Sequence, residues 1–277
     1  MTESRPPPLY HEMENNASLV DLQDVRVPKN LYFPELPCKI LNQSSRKVFI
    51  MNRAFPLPKT LVLVRHAEAE NNVLSRKDRT RDEGFSTHNC HLTKRGKEQA
   101  AALGMWLRKH FTFDRYYSSY YVRALETFRM AYPNIEPIKD ARLIELRRGI
   151  EDLMTDKEID KHLPWSEKSR KQREGRFHFK PLNGESWADG EMRLRNFFLT
   201  LQIECPGEHV VVFGHGKTLP VWGKIFGNWD GEETVNAYER YPTENASVTV
   251  YRAEGKRMVL DISNFAPWKE RQKKKKG

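Results

Sequence analysis

The chain has 277 residues, 47 Lys and Arg against 37 Asp and Glu, a net charge of +10 and 38% hydrophobic residues, enough for one large α/β domain or two small ones. Six tryptophans and a 30% charged fraction argue against a fibrous or wholly disordered chain. No apolar run approaches the roughly 20 residues of a membrane helix, the N-terminus lacks the shape of a signal peptide, and Cys38, Cys90 and Cys205 are too scattered for a disulfide framework or a zinc site, so a reducing, cytoplasmic setting is expected.

Residues 1–19 are polar and Pro-rich, and are expected to be loosely attached. Residues 20–59 hold five prolines near apolar residues and one strand-like run at 46–51, so 1–59 reads as an N-terminal extension. Thr60–Arg65 is a continuous apolar run breaking into polar residues, the pattern of a buried strand feeding a loop. Thr93 can cap a helix over 94–110 with Ala100, Leu103, Trp106 and Leu107 on one face. A short strand over 114–119 leads to a helix over about 121–131 carrying Val122, Leu125, Phe128 and Met130. A further helix over 188–203 carries Met192, Leu194, Phe197, Phe198 and Leu201. Val210–Gly214 repeats the strand-to-loop design, and two strands, 247–251 and 258–262, flank the turn at Gly255. Alternating strands and helices predict a three-layer α/β/α sandwich with a mostly parallel central sheet over 60–265. Residues 266–277 form a basic tail.

The charge is local. Residues 269–276 hold six Lys and Arg and one Glu, residues 161–180 hold seven and two, and the remainder sums to zero. Uniform basicity would suggest nucleic acid; two local stretches ask a narrower question. The Lys tail could meet nucleic acid or an anionic surface, or simply be solvated.

Ligands of open parallel sheets bind at the carboxyl ends of strands. Two predicted strands end there in Arg65-His66-Ala67-Glu68 and Gly214-His215-Gly216. One histidine after a strand is usually structural; two in matching contexts, one beside an arginine, suggest a shared anion, because guanidinium binds phosphate oxygens in a fork. Arg123, in the first turn of its predicted helix, joins an anion-favouring helix N-terminus.

Arg65-His66-Ala67-Glu68-Ala69 with Asn72 resembles the signature of the histidine phosphatase (phosphoglycerate-mutase-like) superfamily, Ala67 replacing the usual Gly. The resemblance continues in order through His91-Leu-Thr-Lys-Arg-Gly96 with Gln99-Ala100, Ser118-Ser119 with Arg123-Ala124 and Thr127, Arg142-Leu-Ile-Glu145 with Gly149, Gly184-Glu185-Ser186, and Gly214-His215-Gly216. It implies the phosphoglycerate-mutase-like sandwich and a metal-independent, cofactor-free phosphomonoesterase acting on a small phosphorylated metabolite. His66 would be the nucleophile, forming a phosphohistidine. Arg65, Asn72, Arg123, His215 and Gly216 would hold the phosphoryl oxygens, and Glu145 would serve as acid and base. Glu151 and Asp152 are its nearest rivals; Glu145 is preferred because it follows a predicted strand and matches the motif. Arg170, Lys171 and Arg173, with Lys168 and Arg176, are candidates to contact a polyanionic substrate, a solvated helix face being the bland alternative. A phosphoglycerate mutase is the alternative within the family, disfavoured by the loose Glu145-Leu-Arg-Arg-Gly149 segment and by Lys217-Thr218. A phosphate-binding scaffold without turnover is the alternative outside it.

Overall fold

The computed structural model describes residues 56–73, 88–166 and 175–270. The strand-like run at 46–51, nearly all of the 1–59 extension, most of the Lys tail, and Lys168, Arg170, Lys171 and Arg173 lie outside the described residues.

A six-stranded sheet runs in the order β3-β2-β4-β1-β5-β6. It comprises β1 (Thr60–Arg65), β2 (Arg115–Ser118), β3 (Ile138–Lys139), β4 (His209–Gly214), β5 (Val248–Glu254) and β6 (Arg257–Phe265). β1 pairs with β4 in parallel, as β4 does with β2 and β2 with β3; β5 joins β1 antiparallel and turns back into β6. The expected sheet is therefore present, mixed but mostly parallel. Glu254 pairs with Arg257, leaving a two-residue turn in which Gly255 takes φ 58°, a left-handed conformation that glycine adopts without strain.

The helices that accompany the sheet include α1 (Glu70–Val73), α2 (Lys94–His110), α3 (Val122–Ala131), α4 (Asp156–His162), α5 (Gly175–His178), α6 (Trp187–Glu204), α7 (Thr218–Gly227) and α8 (Gly231–Arg240). Residue alternation along the strands feeds two cores. Val62, Val64, Val211 and Phe213 face Leu103, Leu107 and Phe128 of α2 and α3 on one side. Leu61, Leu63, Val210 and Val212 face Leu194, Phe197 and Leu201 of α6 and Trp222 of α7 on the other. This makes the three layers.

Thr93 caps α2 as its sequence predicts, its side chain accepting from the Gly96 N–H. Ser186 and Asp189 form a capping box that starts α6. Three expectations are corrected. Met130 and Met192, set by spacing among the apolar residues of their helices, are solvent-exposed, because the apolar stripes of α3 and α6 close on Phe128 and on Leu194 and Phe197 without them. The segment before Glu145 is not a strand but a 3₁₀ turn, Ala141–Leu143, begun by the Asp140 side chain accepting from the Arg142 N–H; this local bond competes with extension. No helix among the described residues is long and apolar enough to cross a membrane.

Candidate active site

β1 and β4 lie side by side in parallel, with Arg65 opposite Gly214, so the loops that follow them leave the sheet together. This topology delivers His66 and His215 to one place, their ring centroids 5.3 Å apart. The His66 N–H donates to the Gly214 carbonyl, and the Ala246 N–H to the His66 carbonyl, fixing the loop against both neighbouring strands.

The hydrogen bonds of His66 define its tautomer. Nδ1 lies 2.7 Å from the Ala67 carbonyl, which can only accept, so Nδ1 carries the proton. Nε2 then presents its lone pair and accepts from Arg123 Nε at 3.1 Å. Burial holds the imidazole well below the usual histidine range, with Arg123 and Arg65 adding like-charge repulsion; the Ala67 carbonyl acts in the opposite sense. His215 is likewise held well below, first by burial and then by Arg123 and His66. Its Nε2 lies 2.8 Å from Ser119 Oγ, while Nδ1 is buried without a hydrogen-bond partner among the described residues.

The two guanidinium groups are built in from different elements. Arg123, second residue of α3, is buried and lies over the Tyr121 ring at 5.1 Å. Arg65 ends β1, donates from Nη1 to the Thr243 carbonyl, and keeps its buried Nε unpartnered among the described residues. A Cβ added at Gly216 would sit 3.2 Å from that Nε, so glycine lets the loop after β4 lie against the guanidinium. Burial lowers both arginine pKa values, opposed chiefly by Glu145.

The start of α2 is pressed onto the His66 loop. A Cβ at Gly96 would lie 1.9 Å from the Glu68 carbonyl oxygen, Gln99 Oε1 accepts from the Glu68 N–H at 2.9 Å, and Thr93 Oγ1 donates to Glu68 Oε1 at 2.8 Å. The Leu-Thr-x-x-Gly-x-x-Gln spacing is thus a clamp.

Arg65, His66, Asn72, Arg123, Glu145 and Gly216 line one cavity of about 270 Å³; His215 lies beneath its wall, fully buried. Glu145 is held by the Leu146 N–H at Oε1 and the Lys217 N–H at Oε2, 2.9 and 3.3 Å. Of its rivals, Asp152 lines the same cavity, whereas buried Glu151 accepts from Arg148 at 2.7 Å and Ser166 at 2.9 Å. Arg176, one of the candidates to contact a polyanion, does not line this cavity and is engaged by Glu232 and Glu239 of α8. Sequence reasoning missed Arg147, Arg148, Lys217 and Tyr238 as cavity walls and Asn245 as a support. Asn245 Nδ2 donates to Asn72 Oδ1 at 3.1 Å and to the His66 carbonyl at 3.3 Å. An unprotonated imidazole nitrogen, one buried and one half-buried arginine and a carboxylate thus line one cavity, a set of groups suited chemically to holding a phosphoryl group.

The model of the histidine phosphatase superfamily (branch 1) matches residues 61–265, and the chain belongs to that superfamily. Phosphoserine phosphatase 1 of Hydrogenobacter thermophilus is 30% identical over 205 residues, 72% of this chain and 89% of its own. A 2,3-bisphosphoglycerate-dependent phosphoglycerate mutase of Sinorhizobium fredii is 30% identical over 185 residues, 64% and 83% of the two chains. A 6-phosphofructo-2-kinase/fructose-2,6-bisphosphatase of Aquarana catesbeiana is 29% identical over 63% of this chain, and the match spans only 34% of that protein. Among solved structures, an alpha-ribazole phosphatase from Shigella flexneri superposes with TM-score 0.62 at 20% identity, covering 74% of this chain and 96% of its own, which supports the fold.

Proposed function

We propose that the protein is a phosphomonoester hydrolase working through a phosphohistidine on His66. The observation that carries the reading is the His66 ring itself: Nδ1 donates to the Ala67 carbonyl and Nε2, unprotonated, sits beside Arg123 in the wall of a cationic cavity. The Nε2 lone pair attacks phosphorus and the P–O bond to the substrate breaks. Glu145 delivers a proton to the leaving oxygen. Water then attacks the phosphorus, Glu145 takes its proton, the P–N bond breaks and inorganic phosphate leaves. Arg65, Arg123, Asn72 and His215 hold the three phosphoryl oxygens, where transition-state charge is greatest.

Two observations favour hydrolysis over mutase chemistry. A mutase must shield its phosphoenzyme from water, whereas this cavity shares walls with a second one whose lining includes solvent-exposed Asp160. The phosphoserine phosphatase match also covers more of the chain than the mutase match. The substrate is a small phosphorylated metabolite, and the setting is cytoplasmic.

The test is turnover of 4-nitrophenyl phosphate with phosphate release, together with trapping of labelled phosphate on the quenched protein. Wild type should turn over and trap acid-labile label, and His66→Ala should do neither. Efficient isomerisation of 3-phosphoglycerate with its bisphosphate primer and little phosphate release would overturn the hydrolase reading.

A further inference from the structure

The phosphoryl cavity is not the largest one. A second cavity of about 460 Å³ adjoins it, and Leu146, Arg147, Arg148, Lys217 and Tyr238 line both. Its size alone falls within the range that holds a drug-sized ligand. Trp187 and Tyr238 meet edge to face in its wall, centroids 5.5 Å apart.

Most charges around this second cavity are already matched. Arg147 lies 3.6 Å from Glu185, Arg176 is held by Glu239 and Glu232, and Arg148 gives Nη2 to Glu151. Two cationic groups at the junction are not fully matched. Arg148 Nη1 is buried with no partner among the described residues. Lys217 is half-buried, and its ammonium pairs with no carboxylate among the described residues. A buried guanidinium N–H left unsatisfied is costly unless a ligand meets it, and both groups bond anions by charge-assisted hydrogen bonds.

We infer that the throat between the two cavities, at Arg148 and Lys217, binds a second anionic group of the substrate. This rests on the phosphatase reading and narrows its substrate class. The scissile phosphate lies against His66, a carboxylate or second phosphate lies in the throat, and the rest of the organic body occupies the aromatic cavity beyond.

The probes are non-hydrolysable. Binding of alkylphosphonates, α,ω-bisphosphonates and ω-carboxyalkylphosphonates of increasing spacer length is measured by calorimetry and by competition with 4-nitrophenyl phosphate. At one spacer length a bis-anion should bind at least about tenfold more tightly than the monophosphonate of equal length. Whether carboxylate or phosphonate gives the larger ratio identifies the throat anion. The ratio should collapse to below about threefold in Lys217→Met and in Arg148→Met. Arg148→Met strands Glu151 and can unfold; Lys217→Met breaks no described ion pair and keeps the test decisive. Monophosphonate binding with no bis-anion advantage, or an advantage that survives both substitutions, overturns the throat and leaves the phosphatase reading intact. Absence of both monophosphonate binding and aryl phosphate turnover overturns both.

Discussion

The Ala67 N–H donates to Thr127 Oγ1 at 2.9 Å, and the same hydroxyl donates to the Arg123 carbonyl at 2.7 Å. One buried side chain thus joins the loop carrying His66 to the helix carrying Arg123, the two residues whose ring nitrogen and guanidinium meet. Thr127→Val keeps the shape but removes the acceptor, leaving a buried N–H unpaired, which costs about 1–3 kcal/mol. Urea unfolding should report that loss. With aryl phosphate, kcat should fall more than KM rises, since the substitution loosens the alignment of the reacting nitrogen and not the pocket's size.

Asn245 offers a second support from β5's approach. Its Nδ2 reaches Asn72 Oδ1, while its carbonyl accepts from Trp268 Nε1 at 2.8 Å. Asn245→Leu should remove one of the two hydrogen bonds to Asn72 Oδ1, the other coming from the Ala69 N–H at 3.0 Å, without disturbing Trp268, whose bond is to the backbone. If Asn72 is a phosphate ligand, KM for aryl phosphate should rise by a factor of about 3–10, the loss of one hydrogen bond, with a smaller change in kcat. Unchanged steady-state constants would show that the Asn245 bond does not position Asn72 for phosphate.

Much of this layout is legible in the sequence. Thr60–Arg65 and His209–Gly214 stand out because parallel strands buried on both faces need unbroken apolar runs, and Thr93 announces α2 because a cap needs a side-chain acceptor at one position. Arg65, His66, Arg123 and His215 are legible because each follows a recognisable strand or opens a helix. The rest depends on contacts between distant segments. Nothing local marks Asn245, 173 residues from Asn72, or Lys217 and Tyr238 as walls of a shared throat. Met130 and Met192 fit a helical stripe by spacing, but the width of the stripe is set by the partner layer. The 3₁₀ turn before Glu145 is hidden because Arg142-Leu-Ile reads apolar, while the Asp140 cap and the Arg142 fork onto Asp140 decide its course.

The acid assigned to Glu145 has a rival in Asp152, since both line the phosphoryl cavity. Their effects should separate by leaving group. A poor leaving alkoxide needs its proton, and 4-nitrophenolate does not. Glu145→Gln should therefore slow hydrolysis of an alkyl phosphate by a factor of about 10²–10⁴ and spare formation of the phosphoenzyme from 4-nitrophenyl phosphate. Asp152→Asn should lack that contrast. The opposite pattern, read by burst kinetics on both substrates, would transfer the acid to Asp152.

The two histidines make folding pH-dependent in a defined sense. Both are held well below the usual range in the folded protein, by burial first and then by Arg123. In the unfolded chain they titrate near their ordinary value of roughly 6.5. Below that pH the unfolded state therefore binds more protons than the folded one, so stability is full above neutrality and declines as the pH falls through about 6.5 toward the depressed folded values. Each histidine can contribute up to about 1.4 kcal/mol per pH unit in that window. Urea denaturation of wild type, His66→Asn and His215→Asn at neutral pH and at pH about 5 isolates the effect, because the carboxylates common to all three cancel in the comparison. Each variant should lose less stability on acidification than wild type does, and ring NMR signals of both histidines should titrate well below the ordinary value. Identical acid slopes in all three proteins would mean that the rings are protonated in place near their ordinary value, and the His66 lone pair would then be free only above a pH of roughly 6.5.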